Sequence, residues 1–310
     1  MKIYHIYANK TNVGDLLSAL AIKKFLKLNS TDLFWTNGYF ERTVKDLCNL
    51  NEKDVVIIGG GGLLKDYFFR LWETLIGNYK GNKMFLWGVG ECINKDDKYT
   101  GLPDDMIDSI AKITTKIYVR DFSTKDRFSR IGKEAEIVGC PSTNIARTWS
   151  KKSDKYLLHV VHPQLLKQTL PYWRSNAQKL ASGLGLKYVE IDHIIPSNHI
   201  RGYIYWNSLR NYYENAGLII SSRLHGVILG SARRVPVVPI SNDYKIEAYW
   251  RGTLGGKKLL NINDSDLLSD FVRAENYDDP DLIQNGVDNV IKSNSQASSE
   301  ILRLLEYSHI

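Results

Sequence analysis

No run in the 310-residue sequence approaches the roughly 20 consecutive apolar residues that a membrane-spanning helix needs. The opening stretch, MKIYHIYANK, also lacks the apolar block and small-residue cleavage site of a secretory leader, so a cytoplasmic protein is the expectation. Cysteine is scarce. Cys48, Cys92 and Cys140 are odd in number and show no metal-ligand spacing, which argues against a disulfide framework and against a zinc site. Internal repeats and low-complexity tracts are absent as well. Long basic runs are missing too: the net charge is +7, yet only pairs such as Lys23-Lys24, Lys151-Lys152, Arg233-Arg234 and Lys257-Lys258 adjoin. Without a nucleic-acid-binding signature, a solvated basic surface is a better reading than a nucleic-acid footprint, while attraction to anionic lipid stays compatible with the charge.

What is present suits a globular α/β protein. The chain is 43% apolar and 24% charged, and its length suits two domains better than one. Short apolar runs at 2–8, 32–36, 54–60, 83–90, 115–120 and 135–139 alternate with segments of helical period, such as 15–28. A second series occupies 156–162, 187–191, 217–222, 235–240 and 258–262. Most of these runs are continuous rather than alternating, as expected for parallel strands covered on both faces. A polar dip at 141–155 reads as a linker. The expectation is two Rossmann-like, doubly wound parallel-sheet domains, 1–148 and 149–292, facing across a cleft with ligands at the carboxyl ends of the strands. A terminal helix is expected over 293–310, with Ser298 or Ser299 and Glu300 near its start.

Four stretches carry candidate chemistry. In ANKTNVGD (8–15), Asn12, Gly14 and Asp15 would form a tight strand-to-helix turn, where helix capping is the common use of an aspartate. In VVIIGGGGLLKD (55–66), four glycines, Gly60 and Gly61 at their centre, permit a close backbone approach, and a tight turn explains them equally. In YVRDFSTKDRF (118–128), Arg120 leaves a strand beside Asp121 and Ser123. Its planar fork suits a carboxylate or phosphate, or else pairs with a neighbouring carboxylate to fasten the turn.

The fourth is SSRLHGVILGSARRVPVVPISNDYK (221–245). Extended backbone would point Arg223 and His225 to one side, and a helix starting near Gly226 would favour an anion at its N-terminus. Lys245 follows the next strand, so Arg120, Arg223 and Lys245 converge on strand ends with His225 among them. Arg233 and Arg234, at the far end of that helix, suit its dipole. His159 and His162, three apart on a strand, cannot chelate one metal from that element. His162 could face the ligand side, while His193 and His199 fall in a loop-like stretch of undetermined role. The seven tryptophans and 18 tyrosines suit sugar rings, although most serve packing.

Taken together these motifs resemble the polysaccharide pyruvyl transferase family. The resemblance runs in order through Asn12-Val13-Gly14-Asp15, VVIIGGGGLLKD, GVG at 88–90, Arg120-Asp121-Phe122-Ser123, and Ser222-Arg223-Leu224-His225-Gly226 with Pro236 and Lys245. Cys140-Pro141 stands where members often carry Asp-Pro. The resemblance implies a GT-B-like fold and transfer of a pyruvyl group from phosphoenolpyruvate to a sugar hydroxyl pair, forming a ketal and releasing phosphate. It further implies a donor site with Arg120, Ser123, Arg223, Gly226 and Lys245, and His225 as the acid. The implied acceptor wall lies in the N-terminal half, with Asn12, Gly14, Asp15, Gly60 and Gly61. No cofactor and no metal are expected. An oligosaccharide or lipid-linked glycan precursor of a cell-surface or exopolysaccharide is the expected acceptor, which would fit a basic enzyme at the inner membrane face. A nucleotide-sugar-dependent glycosyltransferase and a catalytically silent glycan-binding protein are the competing readings.

Overall fold

A computed structural model describes residues 1–27, 29–34, 40–91, 101–196, 199–241, 244–273 and 279–306, except for the side chains of Phe34 and of residues 199–203. Leu28, Trp35, Thr36 and Cys92, which figured in the sequence reading, lie outside these residues. Contacts divide the chain into two compact units, the first comprising 1–10, 14–142 and 289–310, the second 11–13 and 143–288.

The first unit is built on β1 (Ile3–Tyr7), β2 (Thr31–Phe34), β3 (Val55–Gly61), β4 (Lys83–Val89), β5 (Lys116–Val119) and β6 (Glu136–Ile137). They form one parallel sheet in the order β2-β1-β3-β4-β5-β6. Period-two alternation explains why the strands are apolar throughout. Val56 and Ile58 face one core with Leu71, Trp72 and Ile110, while Val55 and Ile57 face another with Ile22, Leu26 and Ile301.

The second core is completed by the Pro280–Glu306 helix. That helix starts well before the expected Ser298, which sits buried in its interior. Pro280 presets its first turn, and Asp279 Oδ1 accepts from Asp281 N at 2.9 Å. The polar run SNSQASS disguised the helix, because Asn294 is used inside: it accepts from Trp87 Nε1 at 2.7 Å and donates to Val138 O at 2.7 Å.

The second unit carries β7 (Tyr156–Val160), β8 (Lys187–Ile191), β9 (Ala216–Ser221), β10 (Val237–Ser241) and β11 (Leu260–Asn261), parallel in the order β11-β10-β9-β7-β8. Each sheet reverses its strand order once, between β1 and β3 in the first unit and between β7 and β9 in the second. In open parallel sheets such a reversal leaves a crevice at the strands' carboxyl ends, the usual place for a ligand.

The sheets also carry buried histidines. Burial pushes His5 of β1 and His159 of β7 down to about 4, and it lowers His162 and His193 as well. The unfolded chain therefore takes up protons below about pH 6.5 that the folded chain resists, so stability present above that pH is lost as pH falls toward about 4. Glu91, pushed up to about 7 by burial, opposes the trend, as one group against four. The urea midpoint is expected to be clearly lower at about pH 5 than at about pH 7. Equal midpoints would contradict this assignment of neutral, buried histidines.

Candidate functional site

At the strand-order reversal of the second unit, Ser221 ends β9 by accepting from Arg223 N at 3.1 Å and donating to Arg223 O at 2.8 Å. Ser222 Oγ accepts from His162 N at 2.9 Å, and Ser222 N donates to Val160 O at 3.0 Å, which joins the ends of β7 and β9. Arg223 keeps extended backbone and caps the Leu224–Ala232 helix. The helix thus begins two residues before the expected Gly226, and His225 belongs to its first turn rather than to an extended segment. Alternation does not relate Arg223 to His225; the strand-to-helix turn does. Gly226 has a packing reason of its own, since a Cβ there would stand 2.1 Å from Ser221 Oγ and 3.0 Å from Val160 Cβ. The glycine lets the helix settle on β7 and β9.

The guanidinium of Arg223 is held in place. Its Nε donates to Val161 O at 2.8 Å, and its Nη2 pairs with the carboxylate of Asp192, just beyond β8. His193 is buried, with Nε2 sharing a hydrogen bond with Tyr213 Oη at 2.9 Å. Its pKa lies well below the usual histidine range because of burial first, then Arg223, then His225. His162 is pushed down to about 3 by burial, then by Arg223 and Lys245. Burial, followed by Asp192, raises the Tyr205 hydroxyl. After burial, Arg223 lowers both histidines, joined by Lys245 at His162 and by His225 at His193, so these groups lie near the ends of β7 and β8. Basic side chains at strand ends suit an anionic ligand.

Of the residues singled out from sequence, the structure therefore gathers Arg223, His225, Gly226 and Lys245 in the second unit. Asn12 joins them there. Residues 11–13 count with this unit, Asn12 forms an antiparallel bridge to Ile194, and Val13 N donates to His193 O at 2.9 Å. This differs from its expected place on an N-terminal acceptor wall. Sequence reasoning left Asp192, His193, Tyr205 and Tyr213 without a role. The available signal was that Asp192 and His193 directly follow an apolar run, at the carboxyl end of a strand.

Gly14, Asp15, Gly60, Gly61, Arg120 and Ser123 belong to the first unit. Gly14 and Asp15 lie inside the Val13–Leu26 helix, so Asp15 is not its cap but an acid in its first turn, and Gly14 supplies no turn freedom. Gly60 and Gly61 have φ of 92° and 118°, and a Cβ on Gly61 would stand 2.6 Å from Asp15 Oδ1. Their close approach is to that helix. Cys140, in the place of the family's aspartate, is buried with Sγ 3.1 Å from Ser18 Oγ and 3.0 Å from Ser142 Oγ.

Arg120 shows the fastening geometry. It is 2% exposed, with Nε donating to Asp121 Oδ2 at 3.0 Å and Nη2 donating to Glu91 O at 2.9 Å. Asp121 in turn caps the Phe122–Arg130 helix, accepting from Thr124 N at 3.0 Å. The glycines of the GVG stretch follow from this packing. Gly88 has φ of 65° against Pro141, and a Cβ on Gly90 would stand 2.3 Å from Arg120 Nη2. Among the described residues, no group of three or more His, Cys, Asp or Glu side chains is placed to hold a metal ion, and no helix is long and apolar enough to cross a membrane.

Two parallel-sheet α/β units of this kind define the GT-B-like fold class. An enzyme of Neisseria meningitidis described as UDP-GlcNAc 2-epimerase bound to UDP-GlcNAc is similar at TM-score 0.58 and 10% identity, covering 97% of this chain and 99% of that one. The UDP-GlcNAc 2-epimerase of Methanocaldococcus jannaschii is similar at TM-score 0.57 and 14% identity, covering 99% and 100%. A Listeria monocytogenes protein assigned as UDP-N-acetylglucosamine 2-epimerase gives TM-score 0.60 at 13% identity, covering 97% and 94%. At these identities the likeness shows the fold alone. A sequence search of curated proteins finds no match. The sequence matches the polysaccharide pyruvyl transferase family over residues 12–244, and the chain belongs to that family.

Proposed function

We propose that the chain transfers the pyruvyl group of phosphoenolpyruvate to two hydroxyls of a sugar in a glycan precursor, with the donor held in the second unit. The observation that carries this reading is the placement of Arg223, His225 and Lys245 in the second unit, with the Arg223 guanidinium held by Val161 O and Asp192 at the strand-order reversal. A donor bearing both a carboxylate and a phosphate matches it. Arg223 and Lys245 neutralise the donor, so the reaction needs neither a metal nor a cofactor. His225, as imidazolium beside the phosphate, gives its proton to the methylene carbon of the enol, leaving an oxocarbenium-like carbon at C2. One sugar hydroxyl adds to C2 and a second replaces the phosphate. Of the two hydroxyl protons released, one restores His225 and the other leaves with phosphate. Arg120 is assigned to the architecture of the first unit rather than to the donor. The acceptor lies on other ground, and a lipid-linked glycan at the inner membrane face fits the basic charge.

The test is incubation of the purified chain with phosphoenolpyruvate and glycan acceptors, following phosphate release and the appearance of a pyruvate ketal in the acceptor by NMR. Phosphate release without ketal, or transfer from a nucleotide sugar instead, would overturn the reading. Arg223→Ala is expected to weaken phosphoenolpyruvate binding by about 10- to 100-fold, the loss of charge-assisted hydrogen bonds. Arg223→Lys should recover little of it, because an ammonium cannot hold Val161 O and Asp192 while also meeting the ligand. Unchanged affinity by calorimetry in Arg223→Ala would place the donor elsewhere.

A further inference from the structure

The first unit contains a polar depression of about 390 Å³ whose lining includes Glu91, Leu102, Pro103, Ser123, Arg127 and Arg130. It opens at the carboxyl ends of β4 and β5, since Glu91 follows one strand and Ser123 the other. Its size lies in the lower part of the range of about 300–1,000 Å³ typical of small-molecule sites. That is room for one sugar ring, not for a polymer.

Glu91 is fixed there by its backbone. Its N–H donates to Thr124 Oγ1 at 3.1 Å and its carbonyl accepts from Arg120 Nη2 at 2.9 Å, while Thr124 Oγ1 donates to Asp121 Oδ1 at 2.6 Å. Its side chain is only 9% exposed. Glu91 Oε1 and Arg127 Nε stand 3.7 Å apart, too far for a hydrogen bond, and neither has a hydrogen-bond partner among the described residues. Two buried polar atoms, one acceptor and one donor, thus await a group that can both give and take a hydrogen bond. Burial holds the Glu91 carboxyl up at about 7 despite Arg127, so at neutral pH it is able to donate as well as to accept.

Among the described lining residues both guanidiniums have carboxylate partners. Arg127 Nη2 pairs with Asp104 Oδ1 at 2.7 Å and donates to Leu102 O at 2.5 Å, and Arg130 pairs with Asp126. Each guanidinium of the described lining thus already has a carboxylate partner, so hydroxyl groups suit the remaining polar atoms better than an anion does. We propose that this depression binds one uncharged sugar residue, its hydroxyls bonded to Glu91, Ser123 and Arg127 and its ring against Pro103. The identification of this sugar as part of the acceptor rests on the pyruvyl-transfer reading; the binding does not.

The experiment is saturation-transfer NMR of the full chain with glucose, galactose, mannose and N-acetylglucosamine separately, with inorganic phosphate as competitor. A signal from at least one neutral sugar is expected, unaffected by phosphate and weakened about tenfold in both Glu91→Leu and Ser123→Ala. Folding of each variant is checked by its thermal transition, and Ser123→Ala, at the turn surface, keeps the test usable if Glu91→Leu fails to fold. No sugar signal in the wild type, displacement by phosphate, or full signal in Ser123→Ala would overturn the proposal. Phosphoenolpyruvate affinity, measured in parallel, separates the two claims: sugar binding without donor binding sinks pyruvyl transfer and keeps this site, and the converse result sinks this site alone.

Discussion

Replacing His225 with alanine is expected to lower ketal formation by about two to four orders of magnitude, the usual worth of a positioned general acid. The fold should survive. His225 is half-buried in the first turn of the Leu224–Ala232 helix, whose remaining residues from Gly226 to Ala232 are buried against the sheet, so truncation opens no core cavity. Phosphoenolpyruvate affinity should change much less than the rate, because Arg223 and Lys245 supply the ligand's counter-charge. Steady-state rates, the thermal transition and a donor titration on one preparation check all three parts. Wild-type turnover in His225→Ala would remove the histidine from the mechanism.

Arg120→Ala should act mainly on stability. Arg120 and Asp121 form a buried pair, each side chain 2% exposed, and removing one partner leaves an uncompensated carboxylate beside the Glu91 carbonyl. Breaking a buried pair in this way costs about 3–5 kcal/mol. The first unit should therefore melt earlier, while phosphoenolpyruvate affinity stays near wild type at temperatures where the variant is folded. A donor contact through Arg120 would give the reverse pattern: lost affinity with the stability unchanged. Denaturant unfolding and calorimetry on the same variant distinguish the two.

The strands were legible because parallel strands covered on both faces are largely apolar, and VVIIGGG, KMFLWGV and AGLIIS are such runs, short and next to turn-forming residues. Legible too was the order of motifs that marks the family. Boundaries that depend on tertiary partners were hidden. The Leu224–Ala232 helix starts earlier than its glycine suggested because Arg223 is held by Val161 and Asp192, partners far away in sequence. The Pro280–Glu306 helix carries polar residues inward because Trp87 and Val138 receive them. Arg120 could not be assigned from sequence alone, since a fork beside an aspartate is equally suited to a ligand and to its neighbour. Burial favours the second use: Arg120 is 2% exposed, against 11% for the similarly bonded side chain of Arg223.

We propose that the second unit binds phosphoenolpyruvate through Arg223. This binding is tested most directly by calorimetric titration of wild type and Arg223→Ala with phosphoenolpyruvate, inorganic phosphate, and uridine and guanosine nucleotide sugars in matched salt. The predicted result is saturable phosphoenolpyruvate binding, tighter than phosphate or either nucleotide sugar and weakened in the variant. Binding of a nucleotide sugar in preference to phosphoenolpyruvate would contradict it.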